Sequence, residues 1–341
     1  MTDLTVTRDV ARRTAGAPVA LEPRLEQHRV ELTGYCYRML GSAFEAEDAV
    51  QETMVRAWRG LDRFDEGRGT LRGWLYRIAT NVCLDMLDGQ QRRARPMDLG
   101  PASATAQTLG PMLPEATWVE PIPDSRVLPD GSDPADVAVA RETIRLAFVA
   151  ALQHLPPRQR AVLILREVLR WKAAEVAELL DTTVASVNSA LQRARATIAD
   201  SNLVATDPAD PIDDAQQTLL ARYVDAFARH DVDLLVSLLH EDATMSMPPF
   251  QLWLQGRAAI RRAVLGSDGT CNNARVVQTS ANGSPAFGQY LPTGPAGTYE
   301  PWALQVIEIA GGRIIATTTF LHAARMFPLF DLPRRLNRNP D

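Results

Sequence analysis

Residues 155–198 read LPPRQRAVLILREVLRWKAAEVAELLDTTVASVNSALQRARATI, and the second half of that stretch decides the fold. From Val176 it reads as helix, short turn, helix. In the second helix Val184, Val187, Leu191, Ala194 and Ile198 recur at spacings of three and four and fall on one stripe. Thr183 stands where an N-cap is needed, its oxygen placed to accept from an early backbone N–H. Val176, Ala177, Leu179 and Leu180 give the preceding helix its packing face. Small residues at Ala177 and Ala194 permit the close approach of a helix-turn-helix. The face opposite the stripe carries Ala185, Ser189, Gln192 and Arg193, flanked by Ser186, Asn188 and Arg195. Arg suits guanine, Asn and Gln suit adenine, and no acid on this face would repel phosphate. On these residues alone an ordinary solvated helix face is the alternative.

Upstream, residues 24–95 read as helices. Val50, Met54, Ala57, Trp58 and Leu61 form one apolar stripe, and Leu71, Trp74, Leu75, Ile78 and Val82 another. The polar FDEGRGT (64–70) breaks them apart. From Pro96 to Pro134 prolines and acids replace the periodicity, which reads as an extended linker that buries little. Helical spacing returns at Asp136 and runs to about Asn202. After ATDPADPIDD (205–214) come helices at 215–229 and 232–240, then strand-like ARVVQTSA, AFGQYL, WALQVIEIA and RIIATTTFL. Gly311-Gly312 supplies a tight hairpin turn between the last two, and helices followed by strands indicate an α+β domain.

A chain of 341 residues, 46% apolar, is long enough for two or three domains with sizeable cores. The net charge of −5 is uneven: residues 138–202 hold nine basic and six acidic side chains, residues 96–137 one basic and seven acidic. An acidic whole argues against nucleic acid, but the helix-turn-helix segment is basic. Cys36, Cys83 and Cys271 form no CxxC pair, so neither disulfide nor metal is expected. The start MTDLTVTRDVARRTAGAP lacks an apolar signal core, and no run of about 20 apolar residues follows, so a cytoplasmic protein without membrane contact is expected.

Residues 155–198 resemble region 4 of extracytoplasmic-function (ECF) sigma factors, the promoter-recognition subunits of bacterial RNA polymerase. The marks are Leu155-Pro156, Arg158-Gln159-Arg160, Glu175-Val176-Ala177 and the Ser-x-Leu-x-Arg-Ala-Arg ending at Arg195. FEAEDAVQETMVRAW (44–58) is similar to the family's core-binding segment in region 2, and LRGWLYRIATNVCLDMLDGQQRR (71–93) to its promoter-melting segment. Lys172, Ala173 and Asp181 depart from the family pattern at the helix entry and the turn. The last third resembles SnoaL-like domains of the nuclear-transport-factor-2-like superfamily, through YVDAFARHDVDLLVSLLHEDATMSMPP (223–249), Trp253, Gly256, ANGSPAFGQY (281–290) and FPLFDLP (327–333). The expected chain is therefore multidomain. It has a tail (1–23), region 2 (24–95), an acidic linker (96–135), region 4 (136–202), a short linker (203–213), a cone-shaped α+β SnoaL-like domain (214–330) and a tail (331–341).

The resemblance implies roles for particular residues. Asp48, Gln51, Glu52, Val55 and Arg56, opposite the Val50–Met54–Trp58 stripe, would dock on core RNA polymerase. Arg77, Asn81 and Asp85 line one side of their helix at i, i+4 and i+8 and would meet the −10 element, the FDEGRGT loop capturing a flipped base. Ser186, Asn188, Ser189, Gln192, Arg193 and Arg195 would meet the −35 element. The acidic linker would occupy a basic channel of the polymerase or serve as a plain tether. Asp242, Trp253, Tyr290, Trp302, Gln305 and His322 would line a small-molecule pocket or simply pack, with Asp242 and His322 as a conceivable acid–base pair. No catalytic residue, metal or cofactor is expected in an initiation factor gated by its C-terminal domain. An enzyme acting on a small molecule and a dimeric repressor are the rival readings.

Overall fold

Caps start the first module. In this computed structural model, which describes residues 22–67, 69–103, 109–128, 134–200, 213–266, 274–293 and 297–337, a short α1 (Glu22–Glu26) leads to three longer helices. α2 (Arg29–Leu40) ends on Gly41 at φ 73°, a left-handed stop that glycine adopts without strain. α3 (Ala43–Gly60) begins at Ser42, whose Oγ accepts from the Glu45 N–H at 3.2 Å. α4 (Leu71–Leu87) begins at Thr70, whose Oγ accepts from Gly73 at 3.0 Å. Leu32, Tyr35, Met39, Val50, Leu75 and Ala79 are buried between them, each large side chain contributing roughly 1.5–3 kcal/mol. Cys36 and Cys83 are free thiols inside this core; Cys271 lies outside the described residues.

The helix-turn-helix follows the expected pattern at its centre. α5 (Pro134–Glu142), α6 (Leu146–Gln153) and α7 (Pro157–Leu163) lead through a π turn (Ile164–Val168) to α8 (Ala173–Leu179) and α9 (Val184–Asp200). Thr183 caps α9, its Oγ accepting from the Ser186 N–H at 3.1 Å. Asp181, where the family pattern has glycine, takes up the left-handed turn at φ 48°. Val187, Leu191 and Ala194 are buried, but Val184 is 44% exposed. The buried stripe of α9 therefore starts at Val187, one turn later than the spacing suggests.

The C-terminal domain lays α10 (Asp214–Ala228) and α11 (Val232–Leu238) against one mixed sheet. Its strands are β1 (Leu239–Ser246), β2 (Trp253–Gln255), β3 (Arg275–Ala281), β4 (Ser284–Thr293), β5 (Thr298–Ala310) and β6 (Arg313–Leu321), with α12 (Arg257–Gly266) between β2 and β3. The order is β2-β1-β6-β5-β4-β3, antiparallel except for the β1–β6 pair. Leu219, Tyr223, Leu235, Phe287 and Ile307 form a core on one face of the sheet. The other face, with Ala286, Tyr290, Leu304 and Val306, joins an apolar cluster continuous with the first two modules. The terminal segment is docked at least to Leu336, which exchanges backbone bonds with Tyr299 at 2.8 and 3.0 Å, so it is not a free tail from 331.

The linker departs most from the sequence reading. Trp118, Val119, Ile122 and Val127 are all buried. Ala94 pairs with Thr117 and Val119, and Gly41 accepts from the Glu120 N–H at 2.9 Å. Prolines removed the periodicity that signals burial, yet an irregular strand can bury side chains when its backbone groups find partners elsewhere.

Candidate nucleic-acid interface

α9 presents its polar face outward. Ser186, Asn188, Ser189, Gln192 and Arg193 are exposed, held in register by the buried Val187–Leu191–Ala194 stripe. Arg195 is exposed but paired with Glu167 at 2.6 Å. An exposed pair is worth at most about 1 kcal/mol, so phosphate can displace it. Val184 adds an exposed apolar contact at the first turn, suited to a thymine methyl group. Periodicity had assigned it to the core.

The face of α4 is not open in the same way. Arg77 donates to the backbone carbonyl of Glu178 in α8 at 2.6 Å and lies 3.9 Å from the Asp181 carboxylate. Asn81 is exposed, and Asp85 is paired with Arg56 at 3.4 Å. Trp74 stacks on Phe64 at 5.1 Å and 28°, tying Phe64 to the helix. Trp171, from the loop before α8, packs on Tyr76 at 5.0 Å. The Arg72 guanidinium lies 5.0 Å from the Tyr76 ring and 5.2 Å from Trp171, and donates to Glu31 at 2.8 Å. The helix-turn-helix thus roofs the side of α4 that carries Arg72 and Arg77.

On α3, Asp48, Gln51 and Arg56 are exposed, while Glu52 and Val55 are half-buried, with Arg56 donating to Glu52 at 2.7 Å. Trp58 belongs to this outer face, not to the buried stripe, and is 64% exposed. It stands three residues from Val55 and seven from Gln51, which places all three on one side of the helix. Sequence reasoning missed it because Trp58 also fits the spacing from Met54.

The modules meet at the β3–β4 hairpin tip. Asn282 (φ 56°) and Gly283 (φ 72°) make the turn. Asn282 Nδ2 donates to Tyr37 Oη and to the Ile144 carbonyl, both at 2.6 Å. Its Oδ1 accepts from the Ile122 N–H at 3.0 Å, and its own N–H donates to the Ile122 carbonyl at 3.1 Å. One side chain of the C-terminal domain therefore bonds region 2, the linker and the start of region 4. A Cβ on Gly283 would lie 3.0 to 3.2 Å from Arg141 atoms, tight enough that Arg141 would have to give way, and at φ 72° a side chain there is strained as well. Asp124 Oδ1 accepts from the Gly283 N–H at 2.7 Å, and burial pushes its carboxyl above the ordinary value. Burial does the same to Glu120, against the opposing pull of Ser42, Arg93 and Arg325. Arg145, 5% exposed, pairs with Glu308 at 2.7 Å. Arg160 bonds the carbonyls of Met39 and Leu155 and is pushed down to about 10 by burial. An Asn-Gly pair between two strand-like runs was the available signal for this tip.

The six residues suggested for a pocket do not converge. Gln305 faces the domain interior, accepting from Tyr223 Oη at 3.0 Å and from Gln289 Nε2 at 3.2 Å and donating to Thr319 at 3.0 Å. Tyr290 lies on the opposite face against Phe327 at 5.0 Å. Trp302 is half-buried. Trp253 donates to the Gly100 carbonyl at 2.9 Å. Asp242 is exposed beside His240, near the start of β1. His322 is exposed just past the end of β6, against Phe250. Since β1 runs parallel to β6, Asp242 and His322 sit at opposite ends of the pair and make no acid–base couple. Among the described residues no helix is long and apolar enough to cross a membrane.

Three family models match the chain: Sigma-70 region 2 over residues 25–93, Sigma-70 region 4 over 145–198, and the SnoaL-like domain over 220–317. The ECF RNA polymerase sigma factor SigG of Mycobacterium tuberculosis is 44% identical over 317 residues, 91% of this chain and 83% of that protein. SigJ of the same organism is 33% identical over 246 residues, 71% of this chain and 68% of SigJ. The crystal structure of M. tuberculosis SigJ superposes with a TM-score of 0.56 at 25% identity, covering 93% of this chain and all of that one (100%).

Proposed function

Because the chain belongs to the ECF RNA polymerase sigma factors, we propose that it is held closed by its SnoaL-like domain until core polymerase separates its two promoter readers. In this reading α9 meets the −35 element through Ser186, Asn188, Ser189, Gln192 and Arg193, with Arg195 on phosphate. α4 meets the −10 strand through Arg77 and Asn81, and the outer face of α3 meets core polymerase. The role is non-enzymatic.

One observation carries the closed reading: Arg77 on the −10 helix is bonded to Glu178 in the −35 module. Elements named −10 and −35 lie roughly 80 Å apart at about 3.4 Å per base pair. The Arg77–Glu178 bond cannot survive while each helix meets its own element. The hairpin tip with Asn282 supports the same reading, since it bonds both modules and the linker. The linker is then a buried spacer in the closed form rather than a tether.

Arg193→Ala tests the −35 assignment. It is expected to cost about 1–3 kcal/mol of promoter binding and to relax preference at one base pair. Run-off transcription with core polymerase on promoters varied through the −35 element measures it. Unchanged promoter choice rejects the assignment.

A second role, sensing a small molecule inside the C-terminal domain, is favoured by one feature. The buried Gln289 Oε1 lacks a hydrogen-bond partner among the described residues, beside the Tyr223–Gln305–Thr319 chain. A ligand donor there would satisfy it.

A further inference from the structure

A cleft of about 960 Å³ lies between the two promoter readers. Its floor is Phe64, Gly69 and Thr70 with the start of α4, including Trp74 and Arg72. Its roof is Arg170-Trp171-Lys172, from the loop that leads into α8. The roof is built rigidly. The Trp171 N–H donates to the Leu165 carbonyl at 2.9 Å, and the Trp171 carbonyl accepts from the Arg166 guanidinium. Arg170 holds φ 56° in that loop, a conformation arginine rarely adopts. Arg170 and Lys172 are exposed and have no ion-pair partner among the described residues. Four cations line the cleft against three carboxylates, Asp65, Glu175 and Glu178. Of these, Glu175 already accepts from the Lys172 backbone N–H at 2.7 Å.

Three aromatic rings beside unpaired cations match what a base with a phosphate chain requires: a face to stack on and fixed positive charge at one end. The volume falls in the range of small-molecule sites. We propose that this cleft binds a nucleoside phosphate, its base against the Trp74 and Trp171 walls and its phosphates at Arg170 and Lys172. The floor belongs to region 2 and the roof to region 4, so the site is complete only in the closed chain. The ligand would hold the chain closed and connect transcription output to nucleotide supply. The inference rests on the closed form argued above.

The test is calorimetric titration of the full chain with GTP and ATP, with guanosine and pyrophosphate as partial ligands, alongside X-ray scattering of the same samples. Micromolar binding of a triphosphate is expected, weakened at least about tenfold in the Arg170→Ala/Lys172→Ala double variant, whose exposed positions leave the fold intact. Guanosine and pyrophosphate alone are expected to bind at least about tenfold more weakly. Pyrophosphate binding as tightly as GTP, or GTP binding unchanged in the double variant, overturns the proposal. So does a −10 single-stranded oligonucleotide that binds the compact chain more tightly than either triphosphate, since the cleft then serves the promoter strand. A compact chain that binds no triphosphate sinks this inference alone. An extended chain in scattering sinks the closed form itself.

Discussion

Asn282→Gly is expected to raise transcription with limiting core polymerase and to expand the free chain in X-ray scattering. Glycine keeps the turn, because position 282 sits at φ 56° and a two-glycine turn suits the hairpin. What is lost is the side chain, and with it the bonds to Tyr37 Oη, the Ile144 carbonyl and the Ile122 N–H. Each is a buried group that opening would return to water. Tyr37 Oη keeps its bond to the Glu120 carbonyl, but leaving the Ile144 carbonyl and the Ile122 N–H unsatisfied costs about 1–3 kcal/mol each, and partial relaxation leaves about 3 kcal/mol in all. That moves the closed-to-open ratio roughly a hundredfold. Gly283→Ala reaches the same end by another route: its methyl would press on Arg141 at 3.0 to 3.2 Å, at φ 72°. If both variants keep wild-type dimensions and wild-type output, the hairpin tip is packing and not a latch.

The helix-turn-helix and the strands from β3 to β6 were legible because their spacing and turn residues are local signals. Thr183, Gly311 and Gly312 do in the structure what their chemistry suggested. β1 was not, since LHEDATMS lacks alternation and its burial is set by α11 and by β6 alongside. The linker was misread because burial of Trp118 and Ile122 depends on partners far along the chain, such as Asn282 and Tyr37. No window of neighbouring residues contains that information. Val184 and Trp58 were misplaced for a related reason: periodicity finds a stripe but not where the neighbouring element ends. Residue type alone points to the six pocket candidates, and type does not say which face of a strand a residue takes. Tyr290 and Gln305 show this, lying on opposite faces of one sheet.

Trp58→Ala is expected to weaken binding to core polymerase more than any other single change on α3. The indole is 64% exposed, on the same side as the exposed, polar Gln51 and the half-buried Val55. Water-exposed tryptophan within a polar rim is the usual composition of an interface anchor, and truncating such an anchor costs 2 kcal/mol or more. The dissociation constant should rise at least about thirtyfold. Because the ring contributes little to the core, the thermal midpoint should move by no more than about 2 °C. Glu52→Ala, by contrast, breaks only an exposed pair with Arg56 and should cost less than about 1 kcal/mol. Fluorescence anisotropy of labelled chain against core polymerase separates these outcomes, and equal affinities for wild type and Trp58→Ala would remove α3 from the interface. Trp58 is already exposed in the closed chain, whereas Arg77 is not free until region 4 moves. In the proposed reading docking through α3 precedes opening, and polymerase binding supplies the free energy that breaks the Asn282 junction. Combining the two variants tests that order: Asn282→Gly should partly restore transcription to Trp58→Ala, since less of the docking energy is then needed for opening.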